Sequence, residues 1–390
     1  MRMKLLRVLG SMDPRTGGVA QAIRSLHGSL KKFGIECEVA TSDSPEAGWL
    51  GRDPFPIHPL GPGRFGYAYS PRWLPWLSKN LPRFDAVLLD GLWQWPGLAA
   101  RVARSRHAPA TKLFAMPHGM LDPWFQRDPQ RRWKAIRNFA YWTLVERSTV
   151  NGCNGLFFTC DEERRLARTT FPGYKPRAES TVGLGIEAPV TDSTPASATF
   201  RDSIPSLGQS PYILYLGRID RKKGLDLLIR ARMEIPNSRY HLVIAGPGWD
   251  SPHGRDLMNL IQEATRRRDA APAFIHAANL LEGPVKWAAL RECAAFILPS
   301  HQENFGLAVV EALACDRPVL LSDKVNIAPE IAAEGAGLVE PDTLKGTRRL
   351  LERFESGFAR PQGKVRDCYQ RHFSVESSAE RLASALRTLP

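Results

Sequence analysis

Short apolar runs alternate along the chain with longer stretches in which apolar residues recur every three or four positions. "LLRVLG" at 5–10 leads into "VAQAIRSLHGSLKKFG", whose apolar spacing is helical and which stops at Gly34. "IECEVAT", "FDAVLLD", "TKLFAMP", "NGLFFT" and "AESTVGLG" are further strand candidates in the first half. From Glu187 to Ser210 the pattern fails, and "EAPVTDSTPASATFRDSIPSLGQS" is rich in Pro, Ser and Thr. Such a stretch predicts a linker or domain boundary. The alternation resumes with "YILYLGRI", "YHLVIAG", "AFIHA", "AAFILPS", "RPVLLSD" and "GAGLVEP". Strand then helix, repeated, predicts an α/β protein with parallel sheets covered on both faces. Two doubly wound, Rossmann-like domains are expected, at 1–187 and 211–366, joined by a linker at 188–210. Ligands of such folds sit at the carboxyl ends of strands, and with two domains the cleft between them is the expected site.

Size and charge fit that division. The chain has 390 residues, too many for one ordinary core, with 43% hydrophobic and 24% charged residues. A formal net charge of +13 suits anionic partners, namely nucleic acid, an anionic membrane face or phosphorylated substrates, or serves solubility alone. The six cysteines are scattered, with no C-x-x-C and no Cys/His cluster. No zinc site and no dense disulfide framework is expected, and a reducing cytoplasm fits best. The apolar run near the N-terminus is broken by Arg7 and reads as a buried strand, not a leader. No window of 18 apolar residues occurs.

Candidate chemistry clusters at predicted strand ends in the second half. In "YLGRIDRKKGLDLLIRA", Gly217 and Arg218 follow a strand, and Lys222, Lys223 and Gly224 precede a helix. A planar guanidinium fork and an ammonium point charge together suit a diphosphate, although a basic loop on a basic protein would look the same. "LVIAGPG" is a strand entering a glycine-rich turn, but it lacks G-x-G-x-x-G, so no dinucleotide fingerprint is present. In "HQENFGLAVVEAL", Glu303 lies in a loop and Glu311 about two turns into a helix that starts around Asn304 to Leu307. A helix start offers unpaired N–H groups and a positive dipole end to phosphate. Carboxylates accept paired hydrogen bonds from vicinal diols. Glu311 is flanked by Val309, Val310, Ala312, Leu313 and Ala314, and a carboxylate in so apolar a helix needs a partner.

G-R-x4-K-G followed by E-x7-E resembles the retaining glycosyltransferases of family 4, which have the GT-B fold. "EALACDRPVLLSD" and "EIAAEGAGLVEPD" continue that resemblance, which covers nearly the whole chain. It implies that Glu303 contacts the transferred sugar, Glu311 holds the nucleotide ribose, and Arg218 and Lys223 bind the diphosphate. It implies that the backbone at Asn304, Phe305, Gly306 and Leu307 meets phosphates and sugar, with the base near Ala277, Ala278 and Leu281. One departure is Asp316 where glycine is usual. Aspartate tolerates a left-handed backbone better than most residues, so the turn should survive.

In the first half, Gly17 and Gly18 lie between the first strand and a helix start. Either a tight turn needs positive φ there or a ligand approaches the backbone closely. The resemblance implies that this loop faces the donor phosphate and the acceptor. "AMPHGMLDPW" places His118 just after a strand and is similar to a signature of many bacterial relatives, in which this histidine lies close to the donor sugar. His118 is therefore expected to contact the sugar. Asp90 stands where many relatives have His, and Leu184 where Asn is usual. The segment 124–147 is basic and aromatic, with Trp133, Ile136, Ala140 and Leu144 at helical spacing. Two readings are open: docking on an anionic membrane, or a helix packing its stripe on the sheet with a solvated basic face. At 367–390 a helix capped by Ser374 is expected, and the resemblance implies that it crosses back to the first domain.

The expected protein is a metal-independent, retaining hexosyltransferase without a cofactor. It moves a sugar from a GDP- or UDP-linked donor to a saccharide or lipid-linked saccharide, as in polysaccharide or lipopolysaccharide building. It works in the cytoplasm or on the inner face of the cytoplasmic membrane. Its catalytic candidates are Glu303, His118, Arg218 and Lys223, with no nucleic-acid partner. The rival readings are a sugar-nucleotide epimerase or hydrolase of the same fold, and a non-catalytic binder of nucleotide sugars.

Overall fold

The computed structural model describes residues 2–189, 199–235, 237–266, 274–358 and 363–390. The chain divides into two compact units, Met1–Gly185 with Val375–Pro390, and Ile186–Ser374.

The first unit is built on β1 (Met3–Leu9), β2 (Ile35–Thr41), β3 (Ile57–Pro59), β4 (Ala86–Asp90), β5 (Lys112–Met116), β6 (Gly155–Phe158) and β7 (Glu179–Thr181). They form one parallel sheet in the order β3-β2-β1-β4-β5-β6-β7. Leu5 of the central strand faces Cys37 on one side and Ala86 on the other. All five residues of β4 are buried, as a strand covered by helices on both faces requires. Every sequence run named above for this half forms a strand; β3 was not among them. The order reverses between β1 and β4, so the loops leaving their carboxyl ends diverge and leave a crevice.

The second unit repeats the plan with β8 (Tyr212–Leu216), β9 (His241–Ala245), β10 (Ile275–Ala278), β11 (Ala295–Leu298), β12 (Val319–Ser322) and β13 (Gly337–Glu340). Their order is β10-β9-β8-β11-β12-β13, again all parallel. Here the reversal falls between β8 and β11. The turn "LVIAGPG" has a packing role: a Cβ on Gly246 (φ 153°) would lie 1.8 Å from the Gly217 carbonyl oxygen, so only glycine lets these loops meet.

Within the stretch expected as a linker, residues 190–198 lie outside the described residues. After them, Phe200, Ile204 and Leu207 are buried, and Phe200 lies 5.4 Å from the Tyr212 ring. Their spacing of four and three residues puts them on one side of a helical turn.

The stripe at 133–144 is not packed on the sheet. The helix Arg132–Tyr141 buries no residue, and Trp133, Ile136 and Leu144 are 84%, 61% and 79% exposed. The packing reading of this segment is therefore overturned. Trp142, off the stripe, takes the buried role by stacking on Phe171 at 4.8 Å. Among the described residues no helix is long and apolar enough to cross a membrane.

Directly after this helix, Glu146 is buried and accepts a hydrogen bond from the Trp93 N–H at 3.1 Å. Burial pushes its carboxyl up to about 7, against the Trp93 hydrogen bond and the Arg101 charge. The folded chain thus holds this proton more tightly than the unfolded one. Its contribution to stability is full below the ordinary carboxyl value and is lost as pH rises through about 7, a change of about 3 kcal/mol. Glu146→Gln should remove that slope. Urea unfolding at pH 5 and pH 8 measures it, and an unchanged difference between the two would refute the assignment.

The helix Val375–Thr388 starts directly after Ser374 and packs on the helix Gly18–Lys32 of the first unit. The Lys112 Nζ donates to the Leu389 carbonyl at 2.6 Å, and the Arg381 Nε to the Val182 carbonyl at 3.1 Å.

Candidate active site

In the second unit, the loops after β8 and β11 carry the charged candidates. The loop after β8 ends at Gly224, and the Lys223 ammonium forms an ion pair with Glu303. The Lys222 Nζ donates to Gln302 Oε1 at 3.3 Å, and the His301 N–H to the Lys222 carbonyl at 2.8 Å. His301 also pairs with Asp342 at 2.8 Å, which raises its pKa. Glu303 is held from behind, its N–H donating to the Lys324 carbonyl at 3.0 Å and its carbonyl accepting from Asn326 N–H at 2.9 Å. Burial alone would raise the Glu303 carboxyl. The Lys223 charge and hydrogen bond, the Lys222 charge and the Asn304 N–H outweigh burial and hold it below its ordinary value. Burial lowers the Lys222 ammonium. Arg218 is exposed, and its guanidinium has no partner among the described residues.

The helix Leu307–Ala314 is capped by Gly306 (φ 73°), which brings no side-chain acceptor. Its Leu307 and Ala308 N–H groups have no acceptor among the described residues. Gly306 lies against Glu303, since a Cβ there would stand 3.3 Å from Glu303 Cγ. Phe305 turns its ring inward, buried against Phe373 at 5.9 Å, so only its backbone remains for a ligand. Glu311 has the partner that its apolar helix demanded: Lys286 Nζ stands 2.7 Å from Oε1. Ala277 and Ala278 end β10; the Ala278 carbonyl accepts from Trp249 Nε1 at 2.9 Å and Gly246 N–H at 3.1 Å. Leu281 is buried and Leu280 exposed. Asp316 adopts φ 57°, as its place at the helix end requires.

The first unit holds a second cluster. His118 follows β5 with φ 51°, and its Nε2 stands 3.0 Å from Asp90 Oδ1. Asp90, the last residue of β4, also accepts from Arg7 of β1, from Nε at 2.8 Å and Nη2 at 2.6 Å. The Arg7 and Asp90 side chains are 1% and 0% exposed. Burial would raise the Asp90 carboxyl, but the Arg7 charge and the His118 and Arg7 hydrogen bonds hold it below the ordinary value. The next residue, Gly119, donates its N–H to the buried Glu163 at 2.5 Å. His118 is therefore fixed from both sides. Gly17 (φ 101°) caps the helix that Gly18 begins, and a Cβ on Gly17 would meet nothing within 4 Å. The turn needs its positive φ, and the space in front of it is open.

Sequence reasoning did not find Arg7, Asp90, Glu163 or Lys286 as members of these clusters. For Arg7 the signal was present: an arginine inside a run destined for a buried strand demands a buried anion. For Lys286 nothing in the spacing links it to Glu311.

Residues 17–181 match the glycosyl transferase 4-like domain and residues 197–356 the glycosyl transferases of group 1. The chain belongs to this glycosyltransferase family, and its two parallel-sheet units are those of the GT-B fold. It is 27% identical over 205 residues to D-inositol 3-phosphate glycosyltransferase of Kineococcus radiotolerans, covering 50% of this chain and 45% of that protein. It is 26% identical over 298 residues to α-maltose-1-phosphate synthase of Mycobacterium tuberculosis, covering 72% and 73%. The chain thus spans less than half of the first relative and about three quarters of the second. Among solved structures, Anabaena HepE in complex with UDP and glucose superimposes with a TM-score of 0.72 at 14% identity, covering 100% of both chains.

Proposed function

We propose that this chain transfers a hexose from a nucleotide-diphosphate sugar to a hydroxyl of a saccharide or lipid-linked saccharide, with retention of anomeric configuration. The observation that carries this reading is the grouping of Lys223, Glu303 and the unfilled N–H groups of Leu307 and Ala308 at the carboxyl ends of β8 and β11. Arg218, Lys223 and those N–H groups hold the diphosphate and stabilise the charge that develops on it as it leaves. Glu311, set by Lys286, accepts from the ribose hydroxyls, and the base lies by Ala277, Ala278 and Leu281. Glu303 accepts from hydroxyls of the hexose. Within the first unit, His118 and the Gly17–Gly18 turn are the candidate ligand contacts. In the transfer, the acceptor oxygen bonds to the anomeric carbon while the bond from that carbon to the β-phosphate oxygen breaks. The hydroxyl proton passes to the departing diphosphate, which guides attack from its own face. These cationic groups take the place of a metal ion.

A nucleotide-sugar donor is supported by the likeness to HepE, which was solved with UDP and glucose. Thermal shifts with UDP, GDP and their sugars, in the presence of EDTA, test the reading. One nucleoside diphosphate should stabilise the chain, by about 2.7 kcal/mol at a hundred times its Kd. Glu311→Ala should abolish most of that shift. A shift that survives the substitution, or one that needs a divalent cation, would sink the ribose or the metal-free assignment.

The exposed stripe Trp133, Ile136 and Leu144, flanked by Arg127, Arg131, Arg132, Lys134 and Arg137, supports docking on an anionic membrane, where lipid-linked acceptors reside. Co-sedimentation should show binding to phosphatidylglycerol vesicles and not to phosphatidylcholine ones. Trp133→Ser with Leu144→Ser should abolish it, and equal binding to both lipids would exclude this mode.

A further inference from the structure

A cavity of about 410 Å³ opens in the first unit at the carboxyl ends of β1 and β4. Much of its wall is small: Gly10, Gly63, Gly66, Ala20 and Ala68. Its polar lining is Ser11, Ser42, Asp43, Asp90 and Gln94, and no Lys, Arg or His is among the lining residues. Arg64, next to Gly63 in the chain, is exposed and is not part of the wall.

The two carboxylates differ. The Asp90 charge is matched by Arg7. Asp43 is buried and accepts only from neutral donors, the Ser11 hydroxyl at 2.5 Å and the Met12 N–H at 2.8 Å. Among the described residues no cation pairs with it. The wall thus carries one uncompensated negative charge. Gln94 stands over Gly10, where a Cβ would come 2.7 Å from its Oε1, and its amide makes no hydrogen bond among the described residues. An amide with donor and acceptor to spare and a carboxylate with lone pairs to spare therefore face one cavity.

We infer that the acceptor group received by this cavity is an uncharged, polyhydroxylated sugar ring, and that Asp43 and Gln94 select it against phosphorylated or carboxylated analogues. The inference rests on the glycosyl transfer proposed above and names its acceptor class. Hydroxyls donate to the Asp43 carboxylate and exchange both kinds of hydrogen bond with Gln94. A phosphomonoester in the same place meets a like charge in a buried wall with no cation to answer it. The small walls let a ring approach the backbone closely.

The test is transfer by the full chain, with the donor that gives the thermal shift, to matched pairs: glucose and glucose 6-phosphate, mannose and mannose 6-phosphate, myo-inositol and its 1-phosphate. The neutral member of each pair that is used should be favoured by about tenfold or more in kcat/KM. Asp43→Asn should cut that preference to a few fold. Gln94→Lys, at a side chain bound to nothing else, should shift it toward the phosphate ester even if the Asp43 variant folds poorly. Preference of the unaltered chain for an ester overturns the inference, as does a ratio that neither variant moves. It also falls if no neutral sugar is used while the donor still binds. Absence of any donor shift would instead count against the transfer reading and remove the inference with it.

Discussion

Lys223→Ala is expected to lower kcat/KM by about 100- to 1,000-fold, equivalent to about 3–4 kcal/mol of transition-state stabilisation. Two losses combine. The developing charge on the leaving diphosphate loses a cation, and Glu303 loses the partner that keeps it ionised. With Lys223 present, the Glu303 carboxyl stays below its ordinary value despite burial. Without it, the burial penalty has only Lys222 and the Asn304 N–H to oppose it, so the carboxyl rises. The variant's residual activity should therefore decline as pH falls, over a range where the parent chain is flat. Lys223→Arg keeps the charge and should keep the parent's pH profile even if its rate drops. Steady-state kinetics between pH 5 and 9 measure both effects. Activity of Lys223→Ala within threefold of the parent would remove Lys223 from the site.

Arg7→Met should destabilise the first unit by about 3–5 kcal/mol, because it strands a buried carboxylate. For a unit of this size the melting temperature should drop by roughly 10 °C. Asp90 would keep only His118 as a partner, and His118 would lose the anchor that sets its ring. Combining Arg7→Met with Asp90→Leu should recover most of the loss, since a well-packed apolar pair often replaces a buried ion pair at little cost. A single variant that melts within 2 °C of the parent would show that the pair adds nothing. The double variant should recover stability without recovering transfer, if holding His118 is the purpose of the pair.

The strands were legible because parallel strands covered on both faces are written as unbroken apolar runs. β4 and β8 are buried along their whole length and stand out in the sequence as "AVLLD" and "YILYL". β3 was not legible: it is three residues long, half-buried throughout, and lies close behind two prolines. In the second unit the Lys223–Glu303 pair joins two motifs that local spacing had already marked, each at a strand end. Lys286 was invisible because its pairing with Glu311 depends on how the helix Gly283–Glu292 lies against the helix Leu307–Ala314. The first unit's cluster joins Arg7 inside β1, Asp90 at the end of β4 and His118 just past β5, separated by 83 and 28 positions along the chain. Its register is a property of the sheet and is not written in any one segment.

The first unit is discontinuous: it takes Met1–Gly185 and then, after the whole of the second unit, Val375–Pro390. Ile186 and Ser374, where the chain leaves and returns, pair as a short parallel bridge. On the ribosome the order of completion is therefore inverted. The second unit has all its residues while the first still lacks the helix that covers Gly18–Lys32. Until Val375–Leu389 emerges, Val182 and Lys112 wait for partners encoded after the second unit. A stop codon just before Val375 would leave the later-encoded unit whole and the earlier-encoded one unfinished.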